Sequence, residues 1–244
     1  MKKPVDGFIL CGGKATRLEG INGLMPKCLL RVDGMSVLGR LIHGLEQYLS
    51  RITVSFAGDV RIYKETLSAE LSVAVMDKLN FEDDPLQHGT AMAVKNHDVR
   101  PDHALAVING DTLYSSFDDV MPATLDAGEI VFSCSYEVVD RAGAVIIDPV
   151  TNRMSIKKNR AGGEDGQDWV TNGTLVIGSD VFSNLQGLPV NRGDSLEKLL
   201  ISMQGHNNIN ARVYQSKAHF IDIGVPDVFL DATRLFKALT RQVQ

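Results

Sequence analysis

The sequence predicts an α/β fold in which a doubly wound, mostly parallel sheet is followed by a smaller β-rich part. Short apolar strands alternate with amphipathic helices through about residues 1–128, and this alternation is typical of βαβ units. From about residue 129 onward, several strands follow one another directly. The 244-residue length fits one large domain and no linker divides it, so we expect a single domain over residues 1–244.

The first half is predicted to begin with a strand over residues 5–10, which is apolar nearly throughout and therefore suits a central position covered on both faces. Apolar residues at helical spacing indicate a helix over residues 36–49, with Ser36 as its N-cap. The other elements predicted here are a short strand and turn at 29–34, strands at 52–56, 71–76 and 103–108, helices at 61–67 and around Val120 and Leu125, an acidic turn at 81–85, and a loop opening a helix at 86–94.

The second half is predicted to cap a crevice at the edge of the sheet. Residues 159–168 are rich in glycine and charge, which is typical of a loop. An amphipathic helix over residues 227–239 suits the core or a subunit contact, with homo-oligomerisation left open. The predicted strands of this half lie at 130–138, 144–147, 153–157 and 169–177.

The composition argues against several classes of protein. A formal net charge of −5 disfavours general binding to nucleic acid or to an anionic membrane surface. The three cysteines form neither a CxxC pair nor a disulfide framework, which favours a reducing compartment. The apolar run near the start is too short for a signal peptide or a membrane span. The expected location is therefore the cytoplasm.

A glycine-rich loop follows the first predicted strand. Gly12 and Gly13 are followed by Lys14, Thr16 and Arg17. Because glycine lacks a Cβ, its N–H can approach phosphate oxygens closely, and consecutive N–H groups form an anion-binding nest. The spacing fits neither the dinucleotide-binding Gly-x-Gly-x-x-Gly pattern nor the P-loop. The loop therefore predicts a polyphosphate site of another kind.

A carboxylate follows another predicted central strand. Asp111 comes directly after residues 103–108 and Gly110. Open α/β sheets bind their ligands at the carboxyl ends of the strands, where this side chain would lie. Asp111 could also be an ordinary turn residue.

The glycine-rich loop resembles the signature of the sugar-1-phosphate nucleotidylyltransferases, written Gly-Gly-x-Gly-Thr-Arg-Leu followed by Pro-Lys. Ala15 stands where that family usually has glycine. The resemblance implies a Rossmann-like, GT-A-like fold whose first half binds a nucleotide and whose second half binds an acceptor. It implies that Arg17 and Lys27 are catalytic. It assigns the nucleotide to Leu10, Gly12, Gly13, Lys14, Thr16, Gln87, Gly89, Thr90 and Gly110.

Two further segments resemble the family. Residues 86–91 resemble its base-contacting segment, which makes Gln87 the residue expected to read the base edge, whereas His88 is expected to be a loop residue. Residues 219–226 resemble its aromatic-x-Asp-x-Gly-Thr-Pro motif. The resemblance implies that Asp111 and Asp222 hold Mg²⁺, which prefers oxygen ligands.

The acceptor site is implied by weaker similarities. Asn172 and Gly173 resemble the family's sugar-binding Asn-Ala-Gly, and Glu197 lies in a Ser-Leu-Glu helix start. The Glu-Lys pair that the family uses for sugar and phosphate is absent near residue 158, where Lys158 is the expected substitute. This departure leaves the identity of the acceptor open.

The implied reaction joins a nucleoside triphosphate to a sugar-1-phosphate, releasing pyrophosphate with Mg²⁺ and without a covalent intermediate. The base segment favours GTP, with CTP, UTP and dTTP open. Three alternatives remain: cytidylyl or guanylyl transfer to a non-sugar phosphate or phosphonate, a glycosyltransferase, and a non-catalytic nucleotide-binding subunit. The glycosyltransferase has no need of the triphosphate loop. The binding subunit is disfavoured because Arg17, Lys27, Asp111 and Asp222 are all present.

Overall fold

A computed structural model describes residues 4–12, 25–84, 88–122, 124–138, 145–148, 150–151, 154–156, 167–203, 210–224 and 226–241. Its strands are β1 (Val5–Leu10), β2 (Arg31–Val32), β3 (Met35–Ser36), β4 (Arg51–Phe56), β5 (Leu79–Asp83), β6 (Ala104–Asn109), β7 (Thr112–Tyr114), β8 (Glu129–Val138), β9 (Val145–Ile147), β10 (Met154–Ile156), β11 (Gln167–Ile177), β12 (Asn210–Gln215) and β13 (Phe220–Asp222). Its helices are α1 (Val37–Leu45), α2 (Val60–Glu70), α3 (Val73–Met76), α4 (Thr90–Asn96), α5 (Ser179–Gly187), α6 (Leu196–Met203) and α7 (Pro226–Arg241), and a 3₁₀ turn spans Lys27–Leu29.

The central sheet runs in the order β10-β9-β11-β6-β1-β4-β5, with β8 beside β11 and β12 beside β8. Strands β6, β1, β4 and β5 are parallel, whereas β11 is antiparallel to β6, β8 and β9. The first half therefore supplies the parallel part, and the second half extends the sheet mainly with antiparallel strands. The predicted α/β fold is confirmed.

The central strands are covered on both faces because their side chains alternate between two apolar clusters. Ile9 of β1 packs in one cluster with α1 and α2, and its neighbour Phe8 packs in the other with α5 and α6. Both side chains are almost completely buried. This two-sided burial is the reason that β1 reads as a continuous apolar run rather than an alternating one. None of the helices within the described ranges combines the length and apolar character needed to cross a membrane.

The elements of the first half are largely as predicted, with three errors. One is the acidic turn predicted at 81–85, because residues 81–83 belong to strand β5. Ser36 caps α1 by accepting a hydrogen bond from the backbone N–H of Gly39, as expected. Residues 71–76 do not form a strand: Ser72 caps the short helix α3, and the edge strand β5 follows it. The helix predicted around Val120 and Leu125 is also wrong, since residues 115–122 and 124–128 form turns and irregular backbone. Helix α5 and the strands β7, β12 and β13 had not been predicted.

Strand β11 connects the two halves of the sheet. Its last residues, 174–177, pair with β6, while pairing with β8 extends along its length. The register shifts between Thr171 and Leu175. Gly173 lies within this irregularity with φ +90°, a conformation that favours glycine. The bulge brings the middle of β11 beside the end of β6.

A buried ion cluster lies at the amino end of β1, at the opposite end of this strand from Gly12. The carboxylate of Asp6, at the start of β1, is fully buried. It accepts hydrogen bonds from both Nε and a terminal nitrogen of Arg100, and it lies 3.5 Å from Arg51 and 3.1 Å from His103 Nδ1. Burial acts to raise the pKa of Asp6, but Arg100 and His103 outweigh burial and lower it. The negative charge is therefore more stable in the folded chain than in the unfolded chain.

Asp6→Asn is expected to lower the free energy of unfolding at pH 7 by about 1–3 kcal/mol, because charged hydrogen bonds are lost. A lowered folded-state pKa stabilises the protein above the unfolded pKa, and this contribution disappears as the pH falls through the folded value. Urea unfolding measures the free energy of unfolding of wild type and variant at pH 7 and near pH 3. The difference from wild type should shrink in acid, whereas Asp102→Asn, at an exposed position, should change little at either pH. An equal loss at both pH values would contradict the assignment.

Candidate active site

The candidate site lies at the carboxyl edge of the parallel strands, where open α/β sheets bind ligands. Gly12 follows β1, Asp84 follows β5, and Asp111 follows β6. The chain arrives at this edge through hydrogen bonds between neighbouring strand ends: Cys11 N–H donates to Ser55 O, and Gly110 N–H donates to Leu10 O. The loop after β1 and the turn after β6 are therefore held side by side.

Asp111 and Asp222 are brought together by a small antiparallel sheet. Strand β7 begins directly after Asp111 and pairs with β13, so that Thr112 is opposite Asp222. The backbone N–H of Ile223 donates to the carbonyl oxygen of Asp111 over 3.0 Å. Gly224 N–H donates to Asp222 Oδ1 over 2.8 Å and fixes that carboxylate. Two residues that are distant in sequence thus share one site.

Lys27 faces the same space as the two aspartates. Its ammonium hydrogen-bonds and forms an ion pair with Asp111 Oδ2. A Cβ added to Gly224 would lie 2.9 Å from Asp222 Oδ1, 3.2 Å from Asp111 Oδ2 and 3.6 Å from Lys27 Nζ. The absence of a side chain at Gly224 leaves open the space around which these three groups converge.

Lys27 is held there by the 3₁₀ turn that it begins. Leu29 N–H donates to Pro26 O, and Leu30 N–H donates to Lys27 O. Cys28 and Leu29 are buried and anchor the turn in the core, while the side chain of Lys27 remains 23% exposed. Burial, followed by the neighbouring thiol of Cys28, raises the pKa of Cys11 well above its ordinary value. The thiol of Cys11 therefore serves packing beside the site rather than nucleophilic chemistry.

The two carboxylates fit a Mg²⁺ ion bound together with a nucleotide. No group of three or more His, Cys, Asp or Glu suited to a metal occurs in the described segments. Mg²⁺ commonly uses one or two carboxylates and completes its coordination with water and substrate phosphate oxygens. Asp111 and Asp222 form a pair of this kind, and the ammonium of Lys27 lies beside them.

Gly89 and Thr90 connect the nucleotide-binding half to α6. Gly89 has φ +99°, and an added Cβ would lie 2.7 Å from the carbonyl oxygen of Asp194. Thr90 Oγ1 accepts a hydrogen bond from Leu196 N–H over 2.9 Å. Both residues therefore hold the start of α6, which carries Glu197. Their predicted contact with the nucleotide stays a prediction.

Asn172 is used inside the fold. Its side chain is fully buried, where Nδ2 donates to Ser133 Oγ over 2.8 Å and Oδ1 accepts from Thr174 N–H over 3.3 Å. The backbone carbonyl oxygen of Asn172 accepts a hydrogen bond from the hydroxyl of Tyr114, and burial raises the pKa of that hydroxyl. These bonds hold the bulge of β11. In the structure, Asn172 positions the backbone beside the site, and its predicted contact with the acceptor stays a prediction.

Gly173 and Gly110 also allow close packing. A Cβ on Gly173 would lie 3.0 Å from Thr112 Oγ1 and 3.2 Å from the side chain of Asn109. A Cβ on Gly110 would lie 2.5 Å from Cys11 Sγ. Both glycines let neighbouring segments approach at the carboxyl edge. The remaining predicted site residues, which are Gly13, Lys14, Thr16, Arg17, Gln87 and Lys158, lie outside the described residues.

Sequence reasoning missed one pair of residues at this edge. Asp84 Oδ1 and His88 Nδ1 are hydrogen-bonded over 2.8 Å. The other carboxylate oxygen, Asp84 Oδ2, would lie 3.9 Å from a Cβ added to Gly12. Residues 81–85 had been predicted as an acidic turn, and His88 as a loop residue. The available signal was an acidic residue four positions before a histidine, immediately after a strand.

The sheet is open and mostly parallel, and Asp111 at the carboxyl end of β6 meets Lys27 and Asp222 in one space, which suits the binding of a phosphorylated ligand with a metal ion. Residues 7–134, just over half of the chain, match the family model of the MobA-like NTP transferase domain. The chain belongs to this family. The prediction that it is a member of the nucleotidyltransferase class is confirmed.

Curated relatives extend the similarity over nearly the whole chain. D-glycero-alpha-D-manno-heptose 1-phosphate guanylyltransferase of Campylobacter jejuni is 24% identical over an alignment of 225 positions that covers 91% of this chain and 96% of that protein. The bifunctional protein GlmU of Methanococcus aeolicus is 26% identical over an alignment of 248 positions that covers 98% of this chain. The chain spans 56% of the length of that GlmU.

A solved structure shows the same fold. The crystal structure of HddC from Yersinia pseudotuberculosis superposes with a TM-score of 0.72 at 26% identity, covering 95% of this chain and 99% of HddC. HddC has also been crystallised in complex with GMP-PN.

Proposed function

We propose that the protein condenses a nucleoside triphosphate with a sugar-1-phosphate to give a nucleoside diphosphate sugar and pyrophosphate. The observation that carries this proposal is the convergence of Lys27, Asp111 and Asp222 on the space beside Gly224. The similarity to a heptose 1-phosphate guanylyltransferase over almost the full length of both chains supports the choice of reaction.

The chemistry requires positioning and charge neutralisation more than covalent help. We assign Lys27 to the α-phosphate and to the incoming phosphate, whose negative charges meet there. We assign Asp111 and Asp222 to Mg²⁺, which when bound neutralises phosphate charge and aligns the reacting groups. The acceptor phosphate is already ionised at neutral pH, so the reaction needs no general base and no covalent intermediate.

The remaining residues complete the two substrate sites in this proposal. Arg17 joins Lys27 in stabilising the transferred phosphate, and Lys158 binds the acceptor phosphate with Glu197 near the sugar. The nucleotide is proposed to be GTP and to lie along Leu10, Gly12, Gly13, Lys14, Thr16, Gln87, Gly89, Thr90 and Gly110. Three buried, unpaired thiols, Cys11, Cys28 and Cys134, suit a cytoplasmic enzyme.

Pyrophosphate release tests the proposal directly. The purified chain is assayed with Mg²⁺ and each of GTP, CTP, UTP and dTTP against heptose-, hexose- and amino-sugar-1-phosphates and against non-sugar phosphates and phosphonates. Release that requires one triphosphate and one sugar-1-phosphate supports the reaction and names its substrates. Release only with a non-sugar acceptor would replace the acceptor class. Nucleotide binding without release on any acceptor would favour a binding subunit.

A further inference from the structure

Strand β5 leaves one edge of the central sheet open. It pairs in parallel with β4 along its whole length, and within the ranges that the structure describes no strand lies on its other side. The strand contains no proline, and its pairing with β4 has no bulge. Natural proteins often block such an edge with a proline or a bulge, because its free N–H and C=O groups can pair with another strand. The edge of β5 is therefore available for pairing.

The free backbone groups of this edge belong to alternate residues. The carbonyl oxygen of Lys78 and the N–H of Asp84 both bond to β4, over 3.1 and 2.7 Å. Successive residues of a strand direct their N–H and C=O groups to opposite sides. Leu79, Phe81 and Asp83 therefore direct both groups away from β4, whereas the residues between them are bonded to β4.

An open groove of about 550 Å³ lies beside this edge, between β5 and the helices α2 and α3. Met76, Leu79 and Phe81 line it with half-exposed apolar side chains. Lys64 of α2 also lines the groove, and its Nζ lies 5.5 Å from the centre of the Phe81 ring. A strand that paired with β5 would cover these apolar side chains as well as the free backbone groups, and both effects would favour binding.

We propose that β5 of a second copy of this chain pairs antiparallel with this edge, on a two-fold axis at Phe81, to form a symmetric dimer. In this register, Phe81 is opposite the partner's Phe81, Leu79 is opposite the partner's Asp83, and Asn80 is opposite the partner's Glu82. Opposite residues of an antiparallel pair can exchange both N–H···O bonds. The outward groups of Leu79, Phe81 and Asp83 would all find partners in this way, and a two-fold axis uses the same surface on both copies.

Charge complementarity favours a second copy in the antiparallel direction. Side chains alternate between the two faces of a strand, so Asp83 lies on the same face as Leu79 and Phe81. The partner's Asp83, opposite Leu79, would therefore enter the groove that Lys64 lines. On the other face, the amide of Asn80 can donate to the partner's carboxylate. A parallel arrangement would instead place the acidic ends of the two strands side by side, and like charges across a strand pair are destabilising.

The dimer would leave both candidate active sites accessible. Because the two β5 strands are antiparallel, the carboxyl edges of the two sheets point in opposite directions, and each site opens at its own end of the joined sheet. The inference goes beyond the proposed reaction and does not depend on it, since assembly is measured without substrates.

Reversal of the two charges tests the proposal. Sedimentation velocity of the full chain, over about 1–100 µM, measures the dimer Kd. Wild type should dimerise in this range, and Asp83→Lys and Lys64→Glu should each raise the Kd by at least about 10-fold, because each opposes like charges. The double variant should return to within about 3-fold of wild type, since the pair is restored in reverse. Asp231→Lys, which makes the same charge change at an exposed position of α7, should leave the Kd unchanged.

Two outcomes would overturn the inference. Wild type that stays monomeric over the whole range would leave the edge to a strand of another protein. A dimer whose Kd is insensitive to both single variants would use another surface. Thermal unfolding of each variant separates loss of the dimer from loss of the fold.

Hydrogen exchange followed by NMR tests the strand pairing itself. In dimeric wild type, the amides of Leu79, Phe81 and Asp83 should exchange at least about 10-fold more slowly than in monomeric Lys64→Glu, because only the dimer gives them acceptors. The amides of Asn80 and Glu82 are the internal control, since they face β4 and should be protected in both states. Equal exchange of the outward amides in dimer and monomer would contradict pairing through β5.

Discussion

Lys27→Met is expected to lower kcat by about 10²–10³-fold while leaving the melting temperature of the protein nearly unchanged. Removal of one preorganised charge-stabilising group commonly costs that much in kcat. Methionine keeps most of the apolar stem of the side chain, and the 3₁₀ turn is anchored by Cys28 and Leu29 rather than by the ammonium. Steady-state pyrophosphate release with the identified substrate pair measures the loss, and thermal unfolding checks the fold.

Because Lys27 forms an ion pair with Asp111, we also expect Lys27→Met to change the affinity for a divalent metal ion. Without the ammonium beside it, the carboxylate of Asp111 should bind Mn²⁺ more tightly in the absence of nucleotide, which electron paramagnetic resonance can measure. Lys217→Met provides the control, because Lys217 is an exposed lysine whose fold contact is made by its backbone N–H. A Lys27→Met enzyme with near-normal kcat would remove Lys27 from the reaction.

Asp111→Asn is expected to lower kcat/KM by about 10²–10³-fold and to weaken Mn²⁺ binding in the presence of nucleotide. The amide has nearly the same shape as the carboxylate but no charge, so it is a poor ligand for a hard cation. It also leaves the ammonium of Lys27 without its partner. Asp222→Asn should behave similarly, because Asp222 faces the same space.

Metal titrations distinguish a ligand from a merely structural aspartate. Raising the Mg²⁺ concentration should recover part of the activity of Asp111→Asn if the defect lies in metal affinity. Asp77→Asn changes an exposed aspartate after α3 and should match wild type in both assays. Unchanged Mn²⁺ affinity in both Asp111→Asn and Asp222→Asn would show that the metal binds elsewhere.

The strands of the core were predictable because burial on two faces leaves a distinct sequence pattern. Strands β1, β4 and β6 are short apolar runs, and all three were placed to within a residue of their bounds. Strand β5 was missed because it lies at the edge of the sheet, where exposed positions admit Asn80 and Asp83 and a half-exposed one admits Glu82. The neighbouring valines of α3 then resembled a strand, although the cap from Ser72 forms a helical turn there.

The site was predictable only in part, for a related reason. Asp111 could be placed at the carboxyl edge from its position after a strand, but its approach to Asp222 depends on the pairing of β7 with β13. Pairing between distant segments leaves no local pattern, so the family resemblance had to supply it. Asp84 and His88 were missed because their contact depends on how β5 ends, and β5 itself was not recognised.

Because β11 pairs with strands of both halves, the two halves of this protein cannot be separated as independent modules. The segment that matches the family model, residues 7–134, ends within β8, whereas β11 is the strand that pairs with β6 and with β8. A gene fragment that stopped there would leave β6 with an unpaired edge, which invites aggregation. Chimaeras that exchange acceptor specificity between relatives should therefore keep β6 and β11 from the same parent, and place their junctions in loops away from this shared strand.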